Sequence, residues 1–291
     1  MLCLEYVQPD AAICDMVSVF YRAVITPDAG VVNERAAIGQ LRIVSGSDAI
    51  VRIGDTEFVI QPGIYVFGPT IKGLSYWCND GATTIMGAGL LPAGWDVMMQ
   101  RGASNFLNQI VTLNSPEYPG SGLQSVTAQG NYDHFHDART AISATHGANA
   151  LSQYFRALLP SVDETVVKFT YVVDGWLMTS PSPDVGDLIA NTGLSARQLE
   201  RVCKQYFGMP PKMLARKYRA LRAALALSQP ESESSETIVS AFYDQSHMIR
   251  EVKYFAGETP GKIRMKREES DRLIDQRRAM AGRISRLVTE T

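Results

Sequence analysis

Leu194-Ser195-Ala196-Arg197-Gln198-Leu199-Glu200-Arg201 is answered 49 residues later by Tyr243-Asp244-Gln245-Ser246-His247-Met248-Ile249-Arg250-Glu251. Around these stretches Ile189 recurs as Ile238, Lys204 as Lys253, Gly208 as Gly257 and Pro211 as Pro260. Each unit reads as a short helix, a tight turn, a second helix and a Gly-x-x-Pro stop. That is a helix-turn-helix written twice. The second helix of such a unit presents its N-terminal side chains to base edges in the DNA major groove.

The first unit runs from Pro183 to Pro211. Pro183 suits a first helical turn, and Asp184 and Asp187 favour the positive helix end. Val185, Leu188 and Ile189 recur at helical spacing. Asn191-Thr192-Gly193 closes that helix, and Ser195 caps the next one. Leu199, Val202, Cys203 and Tyr206 fall on its apolar side, and Phe207-Gly208 with Pro210-Pro211 stops it. The second unit runs from Ser235 to Pro260, with Asp244 as the cap and Met248, Ile249 and Val252 on the apolar side. Pro211 to Leu227 is helix-like throughout and spaces the two units rigidly.

At these residues the chain resembles the DNA-binding domain of AraC/XylS-type transcription regulators. Leu194–Arg201 looks like that family's first recognition helix and Tyr243–Glu251 like its second, followed by the usual ending Gly257-Glu258-Thr259-Pro260. The resemblance spans residues 165–267. Ala241 stands where the family usually has glycine, and Cys203 and Val252 stand where phenylalanine is usual. These three departures imply looser packing of both recognition helices.

Charge follows the same division. Residues 1–182 carry 9 Lys/Arg against 16 Asp/Glu, residues 183–267 carry 14 against 9, and residues 268–291 carry 5 of each. The basic segment is the one that holds the repeat, as attraction to phosphate requires. Cys3, Cys14, Cys78 and Cys203 have no CxxC spacing and read as reduced thiols of a cytoplasmic protein. No apolar run reaches the length of a membrane span, and no basic start precedes an apolar run, so neither a membrane nor a secretory signal is expected.

The first hundred residues have another grammar. Ala37–Val44, Ala49–Ile53, Glu57–Ile60, Ile64–Gly68 and Thr83–Leu90 read as short strands punctuated by Gly and Pro turns. They imply a small β-barrel or sandwich, cupin-like by analogy with the family. The fold class is therefore α+β in two domains. Residues 1–160 form a β-rich sensor or oligomerisation domain with a helical part from about residue 100. Residues 161–267 form the DNA-binding domain, and residues 268–291 a charged helical extension. Within the helical part, Asn105–Leu113, Asp133–Leu159 and Val162–Met178 have helix-period apolar positions, with a loop at Pro116–Gly122.

His134-Phe135-His136 resembles a metal-binding pair, but alternate residues on a helix diverge by about 200° and no further Cys or His lies near. The first hundred residues contain no histidine. No metal site, cofactor or catalytic constellation is expected, so the chain reads as a regulator and not an enzyme. Tyr65, Phe67, Tyr76 and Trp77 are candidate walls of a ligand pocket, weighed against a role as plain core. The expected partners are double-stranded DNA, a small-molecule effector, RNA polymerase and a second copy of the chain. The alternative is a ligand-independent regulator whose N-terminal domain only dimerises or contacts other proteins.

By match to the family motif, Arg197, Glu200 and Arg201 face bases from the first recognition helix, and Gln245, Ser246 and Arg250 from the second. Lys204, Lys212, Arg216, Lys253 and Lys262 are expected at phosphates. Arg201→Ala and Arg250→Ala should each cost roughly 1–3 kcal/mol of binding and relax the preferred sequence. Loss of the phosphate lysines should weaken binding to every sequence and flatten its salt dependence. Selection from a randomised duplex library at several salt concentrations checks both; unchanged preference in both arginine variants would defeat the base-reading assignment.

Overall fold

The computed structural model describes residues 1–113, 132–228, 238 and 240–265. The expected loop at Pro116–Gly122, most of the first helix of the second unit, and the extension at 268–291 lie outside the described residues.

Among the described residues, ten strands build two antiparallel sheets. The first contains, in order, β1 (Leu2–Val7), β2 (Val17–Ile25), β9 (Thr83–Leu90), β4 (Gly39–Gly46), β7 (Gly63–Phe67) and β10 (Ile110–Thr112). The second contains β3 (Val32–Glu34), β8 (Leu74–Cys78), β5 (Ala49–Ile53) and β6 (Thr56–Ile60). The alternation of side chains along a strand divides the core. Val44, Tyr65, Phe67 and Ile85 of the larger sheet meet Val51, Ile53 and Tyr76 of the smaller one. Their neighbours Ile43, Val66 and Met86 point the other way, against helices. The larger sheet is therefore buried on both faces.

Its outer face is covered by α1 (Pro92–Met99), α2 (Tyr132–Thr140) and α3 (Ala144–Leu158), through Trp95, Phe135, Leu151, Tyr154 and Phe155. Three expectations need correcting here. Asn105–Leu113 is not a helix: a 3-10 turn at Ala103–Phe106 leads into β10, which pairs with β7. Three residues beside β7 complete the sheet, and that long-range pairing overrides the local helical period. Asp133–Leu159 is two helices, with Ser143 capping the second by accepting from the His146 amide at 3.2 Å. Pro183 lies just before the helix it was expected to open. Asp184 is the cap, accepting from the Gly186 amide at 2.8 Å.

The C-terminal helical domain begins its packing on α4 (Glu164–Thr179), whose Val173, Trp176 and Leu177 meet α5 (Val185–Thr192) and α6 (Ala196–Phe207). The linking helix α7 (Pro211–Ser228) follows. It buries Leu214 and Tyr218 in the first unit's core, and Ala220, Ala223 and Ala224 in the second's. α8 (Gln245–Ala256) and α9 (Pro260–Met265) complete the domain. Arg222 of α7 is buried and donates to the Leu177 carbonyl at 2.7 Å, meeting the C-terminal end of α4. Among the described residues, no helix is long and apolar enough to cross a membrane.

Because α7 contributes to both small cores, its continuity fixes one unit relative to the other. Ala220 is fully buried near its middle. Ala220→Pro should remove a ladder hydrogen bond, cost about 3 kcal/mol or more, and impair joint binding of two DNA elements more than binding of either alone. Urea denaturation with binding to one- and two-element duplexes measures both; a fully stable variant would show that α7 does not couple the units.

Candidate nucleic-acid interface and interdomain cavity

α6 and α8 are both twelve residues long and are stopped and started alike. The Ser195 hydroxyl accepts from the Gln198 amide at 3.3 Å, and the Gln198 side chain accepts from the Ser195 amide at 3.0 Å, a reciprocal capping box. The Asp244 carboxylate accepts from the His247 amide, the same third position, at 2.7 Å. At the other end Gly208 (φ 80°) and Gly257 (φ 77°) adopt the left-handed conformation that closes a helix. Their amides donate to the carbonyls of Lys204 and Lys253 at 3.2 and 3.1 Å. The repeat of the sequence is thus a repeat of structure in register.

The buried sides are Leu199, Cys203 and Phe207 in α6, and Met248, Val252 and Phe255 in α8. Cys203 and Val252, expected to loosen the packing, are each fully enclosed, with Met209 and Phe207 filling space beside Cys203. On the other side, Arg197, Glu200, Arg201 and Lys204 of α6 are exposed, as are Gln245, Ser246, Arg250 and Lys253 of α8. Lys204 donates to Glu200 at 2.7 Å and holds its carboxyl below the usual range. Lys212 opens α7 and Lys262 lies in α9, both exposed.

Arg216 is placed differently from the other four basic positions. Its guanidinium pairs with Glu251 of α8 at 2.8 Å, and Arg219 approaches the same carboxylate at 3.7 Å. Glu251 is only 6% exposed, so this cluster is an internal tie between α7 and the second unit. Sequence reasoning passed over Glu251, although a carboxylate beside Val252 and three residues after Met248 marks an acid on a buried face.

The C-terminal ends of both helices meet the β domain. The Ala36 amide donates to the Phe255 carbonyl at 2.8 Å, the Gly73 amide to the Tyr254 carbonyl at 3.4 Å, and the Asn33 side chain to Glu258 at 2.9 Å. Backbones nearly touch here: a Cβ on Gly73 would lie 2.5 Å from the Gly257 Cα. The end of α6 rests on Pro69, which sits 3.1 Å from where a Cβ of Gly208 would be. Lys217 of α7 donates to the Ala37 carbonyl at 2.6 Å.

Between these contacts lies a cavity of about 310 Å³, shared by the two domains. Its β-domain wall includes Tyr21, Gln40, Arg42 and Tyr76, and its helical wall includes Lys217 and Leu221. Arg42 is buried and pairs with Glu34 at 2.8 Å; Tyr76 and Gln40 donate to the same carboxylate at 2.6 and 2.9 Å. Burial pushes the Glu34 carboxyl up, but Arg42 and these donors outweigh it and hold the group ionised. Arg42 follows Leu41 on a strand buried on both faces, which is the one trace of this network in the sequence. Of the four candidate wall residues, Tyr76 lines the cavity. Tyr65 and Phe67 lie between the sheets, Phe67 with its ring 4.2 Å from the Arg42 guanidinium carbon. Trp77 lies on the opposite face of β8 from Tyr76, 5.0 Å from Arg52. His134 is half-buried and His136 exposed on α2.

Lys217 is 2% exposed and has no ion pair among the described residues. Burial pushes its amine down to about 7, far below the usual lysine range. The unfolded chain therefore binds a proton that the folded one lacks between pH 7 and about 10, and stability rises with pH across that window. Lys217→Met should flatten the slope by up to ~1.4 kcal/mol per pH unit. Chemical denaturation of the full chain from pH 7 to 9.5 reads the difference; identical slopes would place the amine in water.

Residues 188–266 match the family model described as a helix-turn-helix domain. No curated protein sequence matches the chain. Among solved structures, an apo ToxT variant from Vibrio cholerae is 9% identical with a TM-score of 0.48, covering 89% of this chain and 99% of its own. ToxT from Vibrio cholerae with bound unsaturated fatty acid is 7% identical with a TM-score of 0.44, covering 90% and 93%. The AraC-like transcriptional activator CuxR is 10% identical with a TM-score of 0.29, covering 77% and 87%. The doubled, register-locked motif and the matched segment agree: residues 188–266 form a helix-turn-helix domain of the AraC type.

Proposed function

We propose that each chain reads two successive major-groove segments of a promoter in a sequence-specific way, with α6 and α8 as the reading helices. The observation that carries this reading is the pair of equally capped helices, 49 residues apart, whose exposed sides are polar and basic in both copies. Arg197, Glu200 and Arg201 serve the first segment, and Gln245, Ser246 and Arg250 the second. Lys204, Lys212, Arg216, Lys253 and Lys262 hold phosphates, with Arg216 also tied to Glu251. The division at residues 160/161 and 267/268, and a cytoplasmic location, belong to the same reading, which is of a binding protein and not an enzyme.

The regulator is read as effector-responsive. A cavity walled by both domains favours this, since a small molecule there would touch both and could favour one arrangement of them. A second reading, a ligand-independent module for self-association or contact with RNA polymerase, draws on the exposed edge strand β1 with Leu2 facing solvent. A thermal-shift screen of small molecules and sedimentation of the free chain separate the two.

Footprinting with the full chain on a selected duplex tests the DNA reading. Protection should cover two short elements about 10 bp apart, with no palindrome required. Arg250→Ala should lose one of them. A single protected element that is unaffected by Arg250→Ala would mean that the second unit is no reader.

A further inference from the structure

We infer that Ile249 reads the C5 methyl group of a thymine, and that the two units therefore demand chemically different bases at the same position of their motif. The inference rests on the reading that α8 enters the major groove.

The aliphatic and phenyl side chains Met248, Val252 and Phe255 of α8 are enclosed, at 5%, 0% and 0% exposed, while Tyr254 near its end is 38% exposed. Ile249, expected on the same apolar side as Met248 and Val252, is instead 37% exposed. It lies one turn after Gln245, one turn before Lys253 and next to Arg250, in the middle of the helix's polar side. The uncovered third of this side chain gains nothing from burial in the free protein, and a β-branched residue is a middling helix former. On DNA the same residue changes its balance. Among the groups displayed in the major groove, the thymine methyl is the apolar one. Isoleucine's χ1 is already nearly fixed in a helix, so little freedom is lost on contact.

The register of the repeat sharpens the assignment. With Ser195 over Asp244 and Gly208 over Gly257, Ile249 occupies the position of Glu200. A carboxylate there suits the cytosine N4 amino group, which a hydrocarbon cannot engage. The exchange also changes the neighbouring lysine. Lys204 pairs with Glu200 at 2.7 Å, whereas Lys253 has Ile249 in the corresponding place. The two halves of the DNA site are thereby unlike, which gives a bound chain a direction along the duplex.

The test uses the full chain and a duplex selected from a randomised library. Each thymine of the second element is replaced in turn by deoxyuridine, which removes only the methyl group. At one position wild-type binding should weaken roughly fourfold, the worth of one buried methyl-sized group. Ile249→Ala should bind the two duplexes equally, Ile249→Val should keep part of the preference, and Glu200→Ala should keep all of it. The inference is overturned if Ile249→Ala still discriminates, or if wild type ignores every replacement while Arg250→Ala loses binding. If Arg250→Ala also leaves binding unchanged, α8 is not on the DNA, and the underlying reading falls together with the inference.

Discussion

Main-chain groups of Ala36 and Ala37 hold the two halves of this molecule together. The Ala36 amide closes the end of α8, and the Ala37 carbonyl accepts from Lys217 of the linking helix and from the Thr70 amide at 3.0 Å. Buried backbone groups must find partners, and here each domain satisfies the other's. Two residues earlier, Glu34 is fixed by Arg42 and Tyr76 on the cavity wall. The short stretch from Glu34 to Ala37 thus runs from the polar wall of the cavity to the contact with the end of α8, hydrogen-bonded to neighbours on both sides.

Two buried cations border the cavity, and they are treated in opposite ways. Arg42 has a carboxylate, a hydroxyl and an amide side chain around it, with the rings of Phe67 and Tyr76 at 4.2 and 5.3 Å. Its charge is fully answered within the β domain. Lys217 has one carbonyl and a neighbouring ring, and it is the group whose proton is loosely held. Uncompensated charge is expensive away from water, so the interface keeps its compliant point on the helical side. The β domain presents a settled surface and α7 presents the adjustable one.

Local signals made the DNA-binding half readable. Ser195, Asp244, Gly208 and Gly257 act within one turn of where they stand, so the helix starts and stops were evident from the residues alone. The strands at Ala49–Ile53 and Thr83–Leu90 were equally plain, being flanked by turns and rich in β-branched residues. Neither β1 and β2 nor β3 and β8 were expected as strands, although β2 is rich in β-branched and aromatic residues; the other elements that escaped depend on distant partners. β10 is a strand only because β7 lies beside it, and α1 is buried on nearly every side and so shows little period. The network of Glu34, Arg42 and Tyr76 joins three strands from two sheets, and no spacing announces it. Glu251 was hidden for the same reason, since its two arginines lie on another helix.

Cys203 stands at the centre of the first unit's core, where the family usually has phenylalanine. Burial raises its thiol to about 12, so the reactive thiolate is essentially absent at neutral pH. Cys3, by contrast, is exposed on the edge strand β1. Electrophiles and mild oxidants will therefore discriminate between the two ends of the chain, marking the β domain and sparing the reading helices. A fluorophore or spin label can be placed on the native sequence, through Cys3, without touching the surface proposed to meet DNA.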